Sequence, residues 1–166
     1  GTVGMEIIED VPDVANVIVP IGGGGLISGI ALAIANLTPS ARVFGVEPHG
    51  ASAMRHSLDK GKAIRLNAIN TVADGLGAPM AGELNFKIVQ NHVENVVLVS
   101  DLEIKQAMQF VLAHTKTIAE PAGAATIAAL LKGKIKIQKG PVVAIISGGN
   151  IDLGTLPNIL AITQSA

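Results

Sequence analysis

Residues 21–29 read IGGGGLISG, with four consecutive glycines between an apolar run and the start of a helical pattern. A helix N-terminus carries roughly half a positive charge and leaves several N–H groups unpaired. Lacking Cβ atoms, Gly22, Gly23, Gly24 and Gly25 allow those N–H groups to close around an anion such as a phosphate. A plain flexible turn is the alternative, although a shorter loop would serve that purpose. The lysine of a Walker A loop is missing, because Ile30 follows Gly29. The dinucleotide pattern G-x-G-x-x-G fails in register: its last glycine falls on Ile27 or on Ser28. Glu47, at the end of the next strand-like run, does stand where an acid would bind a ribose, so a Rossmann-type nucleotide-binding domain stays open.

Other polar residues occupy positions where chemistry is possible. Ser147 ends an apolar run, at the place where open α/β sheets hold their ligands, or else belongs to a turn made by Gly148 and Gly149. Glu120 precedes Pro121 at a helix start, where a carboxylate gains about 0.3–1 kcal/mol from the helix dipole, so capping explains it without further function. Asp74, in ADG, is a turn residue. Cysteine is absent, and the four histidines have no metal-ligand spacing.

The elements that would position these residues alternate along the chain. Residues 14–20, 42–47, 95–100 and 141–147 are short, rich in Val and Ile and nearly continuous in apolar character, as in strands buried on both faces. Between them the spacing predicts helices. Val3, Ile7, Ile8 and Val11 mark one, and Leu26, Ile30, Ile34 and Leu37 form the stripe of another that ends at Thr38-Pro39. Ser100 and Glu103 make a capping box ahead of Ile104, Met108, Val111 and Leu112. Pro121 opens a helix that Gly133 stops. This alternation implies an α/β fold, a mostly parallel sheet flanked by helices. The segment from Asp59 to Leu84 is the least regular and is the expected source of site loops.

Composition limits the function classes. The chain has 166 residues, a net charge of −1, 49% hydrophobic and 15% charged residues, enough for one well-cored domain. No Lys/Arg cluster suggests a nucleic-acid partner, and no apolar run suggests a membrane. A soluble, cytoplasmic protein is expected.

Four segments together resemble one family. VPIGGGGLISGIA (19–31) is similar to the phosphate loop of pyridoxal-phosphate enzymes of fold type II. TVADGLG (71–77), KTIAEPAGAATIAAL (116–130) and IISGGNIDL (145–153) are similar to the later motifs of the threonine dehydratase and serine racemase branch, in the family's order. The resemblance implies pyridoxal 5'-phosphate as cofactor. It implies that backbone N–H groups of Gly22, Gly23, Gly24, Gly25 and Leu26 bind the cofactor phosphate, that Ser147 faces the pyridine nitrogen, and that Gly75 and Glu120 lie close to the ring. A neutral hydroxyl at Ser147 leaves the ring a moderate electron sink, which suits elimination of a β-hydroxyl. Relatives of the serine racemase type bind a divalent cation through an acid at the position of Glu47. Here Ala53 stands where their second acid falls, and one carboxylate with carbonyls holds Mg²⁺ or Ca²⁺ poorly.

The resemblance also implies a lyase that converts L-threonine or L-serine to a 2-oxo acid and ammonia, with serine racemase or a related lyase as the alternative. It implies a homo-oligomer when intact. The family's Schiff-base lysine lies in a motif upstream of the glycine loop, and no lysine here has that context. Residues 1–166 are therefore expected to be the C-terminal portion of the cofactor-binding catalytic domain, without the upstream half and the smaller domain, and inactive alone.

Overall fold

The computed structural model describes residues 1–161. Four parallel strands form one sheet: β1 (Asn16–Pro20), β2 (Arg42–Pro48), β3 (Asn95–Val99) and β4 (Val142–Ala144), in the order β3-β2-β1-β4. Seven α-helices accompany them among the described residues: α1 (Thr2–Asp10), α2 (Gly25–Leu37), α3 (Ala53–Lys60), α4 (Glu83–His92), α5 (Asp101–Thr115), α6 (Pro121–Leu131) and α7 (Leu156–Leu160). The α/β class and the parallel sheet agree with the alternation of patterns in the sequence. No helix among the described residues is long and apolar enough to cross a membrane.

The sheet separates two cores because side chains alternate along each strand. Ile18 and Phe44 pack with Ile104, Met108 and Ala125 on the side of α5 and α6. Val17, Val19 and Val43 pack with Ile7, Ile30 and Ile34 on the side of α1 and α2. The middle strand β1 is buried at every position, as a parallel strand covered on both faces should be. Expectation and structure part at the edges. Burial on both faces was expected of all four runs, yet β3 and β4 are only partly covered. They are the outer strands, with a neighbour on one side only, and Val142 is 37% exposed. The carbonyl of Ile145, just past β4, still finds a partner in the Thr126 hydroxyl at 3.0 Å.

A second correction concerns α2. Its buried residues are Ile27, Ser28, Ile30, Ala31 and Ile34, whereas Leu26 and Leu37 are 38% and 58% exposed. The apolar stripe is thus rotated by part of a turn from the one drawn through Leu26 and Leu37, because an almost wholly apolar helix carries two overlapping stripes and only its neighbours choose between them.

The order of strands matters more than their number. From β1 the chain passes through α2 to β2 on one side, while β4 lies on the other side of β1. The loops leaving the carboxyl ends of β1 and β4 therefore diverge to opposite faces of the sheet. Such a switch point opens a crevice at the strand ends.

The capping box opening α5 is formed in full: Glu103 N–H donates to Ser100 Oγ at 3.2 Å, and Ser100 N–H donates to Glu103 Oε2 at 2.6 Å. Replacing Ser100 by Ala should cost about 1 kcal/mol of stability, read as a lower urea midpoint with an unchanged slope.

Candidate active site at the switch point

The crevice between β1 and β4 is a cleft of about 210 Å³, lined among others by Gly22, Gly23, Gly24, Gly25, Leu26, Gly75, Leu76 and Ser147. Residues far apart in sequence meet here because the strand order brings their loops together. The irregular segment expected to supply site loops does so through Gly75 and Leu76, on a short 3-10 turn at Asp74–Leu76. Within that turn Asp74 Oδ1 accepts from the Gly75 N–H at 2.8 Å, the turn role expected of it.

The glycines differ in what requires them. A Cβ on Gly22 would come 3.3 Å from the Leu76 Cα, a backbone atom that cannot yield easily. Gly24 has φ +92°, and its Cβ would lie 2.8 Å from Met54 Cε and 2.9 Å from Asn85 Cβ. Packing therefore accounts for both. Gly25 has no such reason, since a Cβ there would meet no protein atom within 4 Å. What a side chain at Gly25 would occupy is open space beside the cleft.

The electrostatics favour an anion. Among the described residues, the N–H groups of Gly22, Gly23, Gly24, Gly25 and Leu26 donate to no protein acceptor. They stand at the N-terminus of the 13-residue helix α2, which has no acid in its first turn. Among the described residues no carboxylate and no lysine line the cleft. Donors without acceptors at the positive end of a helix dipole suit a phosphate. Ser147 is exposed and lines the same cleft, and its hydroxyl bonds to no other described residue.

Glu120 takes a different part from the one its position suggests. It occupies the N-cap of α6 without a side-chain capping bond. Its Oε2 accepts instead from the Asn150 N–H at 3.0 Å, while its own N–H donates to the Gly148 carbonyl at 3.0 Å. The carboxylate thus ties the loop after β4 to α6 and fixes where Ser147 leaves the sheet. It lies close to Gly75, whose Cβ would come 3.6 Å from Glu120 Oε1, but does not line the cleft.

Glu47 is also outside the cleft. It is fully buried, and its two oxygens accept from the N–H groups of Met54 and Arg55, each at 2.8 Å. Burial pushes its carboxyl up from 4.5 to about 7, against the pull of those two amides and of Arg55. With both oxygens facing N–H dipoles, a cation there would meet positive charge. Among the described residues no group of three His, Asp or Glu could hold a metal ion. Asn85 and Leu76 shape the glycine loop, yet neither stands out in the sequence, because each acts through a contact with a distant segment.

Comparison with known proteins agrees with this geometry. Residues 1–148 match the family model described as pyridoxal-phosphate dependent enzyme. The catabolic L-threonine dehydratase TdcB of Escherichia coli is 46% identical over 161 residues, covering 96% of this chain and 49% of that protein. A serine racemase of Oryza sativa is 42% identical, covering 94% of this chain and 47% of that protein. Among solved structures, the processed form of threonine deaminase isoform 2 from Solanum lycopersicum superposes with a TM-score of 0.89 at 36% identity, over 96% of this chain and 48% of that one. The chain spans 39–49% of the length of the curated relatives it matches. The Rossmann alternative gives way to this match. The acid that supported it, Glu47, is buried beneath α3 and held by Met54 and Arg55.

The perturbed carboxyl of Glu47 makes stability depend on pH. Its folded value of about 7 lies above 4.5, so its contribution is complete below about pH 4.5 and is lost as pH rises through 7. Between those limits the melting temperature of the wild-type chain should fall relative to that of Glu47→Gln, and parallel profiles would show that Glu47 does not titrate there.

Proposed function

The chain belongs to the pyridoxal-phosphate-dependent enzymes, and from that membership we propose that it is the cofactor-holding portion of a lyase that removes water and then ammonia from L-threonine or L-serine. The observation that supports this reading best is the cleft, where unpaired N–H groups meet open space at Gly25 and no carboxylate intrudes. That donor set fits a phosphate monoester.

In this reading the N–H groups of Gly22 through Leu26 bind the phosphate, and the dipole of α2 adds to their hold. Leu26, 38% exposed, also lines the cleft and would border the bound group. The Ser147 hydroxyl would be the neutral partner of the pyridine nitrogen and would not force a proton onto it. Glu120 orients that hydroxyl indirectly, through its bond to the Asn150 N–H. Pyridoxal phosphate, when bound, supplies the electron sink that lets an amino acid lose its α-proton and then its β-hydroxyl. Hydrolysis of the resulting enamine gives the 2-oxo acid and ammonia. The proton at the α-carbon needs a base, and no lysine among the described residues lines the cleft. The half of the relatives that this chain does not span would supply it, with residues 1–166 as the C-terminal portion of the catalytic domain.

L-threonine ammonia-lyases and dehydratases at 42–46% identity and serine racemase at 42% cover this chain about equally; dehydration is preferred to racemisation because the neutral Ser147 suits elimination.

Two outcomes are expected. Joined to the remaining half of a related lyase, this chain should release 2-oxobutanoate from L-threonine or pyruvate from L-serine, while alone it should release neither; absence of both products from the joined protein would reject dehydration. Gly25→Ala should leave the fold intact, even gaining about 0.4–1 kcal/mol from reduced chain entropy, yet bind pyridoxal phosphate at least tenfold more weakly by equilibrium dialysis, roughly the loss of one charge-assisted hydrogen bond.

A further inference from the structure

The glycine loop has one carbonyl that the protein holds firmly. Gly23 O accepts from Asn85 Nδ2 at 2.9 Å and from the Gly82 N–H at 3.2 Å. Both donors belong to the start of α4, where Gly82 is the N-cap and Asn85 lies in the first turn. Gly82 must lack a side chain for this, because a Cβ there would come 3.0 Å from Asn85 Nδ2. The contact is built from both sides, for the Ser28 hydroxyl of α2 reaches the Asn85 carbonyl at 3.5 Å. Asn85 also approaches the Cα of Gly24 so closely that a Cβ would meet it at 2.9 Å.

In a trans peptide the C=O of one residue and the N–H of the next point in opposite directions. The described chain has no cis bond. Holding Gly23 O toward α4 therefore turns the Gly24 N–H the other way. Asn85 does not line the cleft and Gly24 does, so that other way is the cleft side. Without the clamp the peptide between Gly23 and Gly24 could rotate, since two glycines place few steric limits on it, and a carbonyl oxygen could then face an incoming phosphate.

We propose that Asn85 is a positioning residue for anion binding, which by fixing the Gly23 carbonyl aims the Gly24 N–H into the cleft. This rests on the reading of the cleft as a phosphate site. Asn85 touches neither the anion nor the ring; it sets the direction of one donor beforehand, so that binding does not have to order the loop.

The test compares pyridoxamine 5'-phosphate with pyridoxamine, which differ only in the phosphate and cannot condense with surface lysines. Affinities of the full 166-residue chain are measured by isothermal titration for wild type, Asn85→Ala and Asn85→Asp. The wild type should prefer the phosphorylated compound. Asn85→Ala should reduce that preference roughly three- to tenfold, the effect of about one hydrogen bond, with pyridoxamine binding unchanged. Asn85→Asp keeps the shape, removes the donor and sets a carboxylate against Gly23 O, so it should reduce the preference at least as far; it decides the matter should the alanine variant fail to fold. The amide resonance of Gly24 should respond to inorganic phosphate in wild type and less in either variant. Full preference in both variants, or equal loss for both compounds, would overturn the role of Asn85. Absence of any preference in wild type would instead overturn the phosphate site and the inference with it.

Discussion

The governing constraint is a set of backbone donors that the protein leaves without acceptors. A parallel strand buried on both faces delivers its chain directly into the N-terminus of α2, and the first N–H groups of a helix cannot bond within it. At two other helix starts such groups are met by side chains: Ser100 meets Glu103 at the start of α5, and Glu47 meets Met54 and Arg55 at the start of α3. At Gly22 through Leu26 no protein group does so among the described residues. Helices such as α4 and α6 also start without a side-chain cap, but at α2 the unpaired donors border a cleft shared with Gly75 and Ser147, and the site follows from that coincidence.

Packing around the loop preserves the arrangement. Leu76 closes on Gly22, while Met54 and Asn85 close on Gly24, so the loop is held by three segments that are distant in sequence. On the opposite side of the cleft the small residues of α6 permit a close approach: a Cβ on Gly123 would come 2.6 Å from the Gly148 carbonyl. That proximity allows Glu120 to hold the Asn150 N–H, and with it the path of the chain past Ser147. The supports of the glycine loop and of Ser147 meet at the turn of Gly75 and Leu76, where a Cβ on Gly75 would come 3.0 Å from Ala122 Cβ of α6. Rigid placement of separated groups is what a binding site for a planar, charged cofactor requires.

Glu47 illustrates how the same residue type can serve structure and leave the chemistry to others. Its position at the end of β2 invites a ribose or cation role. The fold instead buries it completely and satisfies it with the amides that open α3. Because Met54 is both a donor to Glu47 and the neighbour of Gly24, the buried carboxylate stands behind the wall of the loop.

The sequence by itself determined the features that depend on local order. The strand-helix alternation, the capping box at Ser100, Pro121 at the start of α6 and the glycine loop before α2 are all legible because backbone geometry and hydrogen bonding within a few residues dictate them. The four family motifs extended that reading to the cofactor and pointed to Ser147, which lines the cleft. Tertiary structure alone decided the rest. Which stripe of α2 is buried depends on α1 and α4, and which strands are outer ones depends on the order β3-β2-β1-β4. That Glu47 meets Met54, and that Asn85 meets Gly23 62 residues away, follows from how the chain returns upon itself. Local spacing carries no trace of such contacts, because their partners are brought together only by burying the two faces of one sheet.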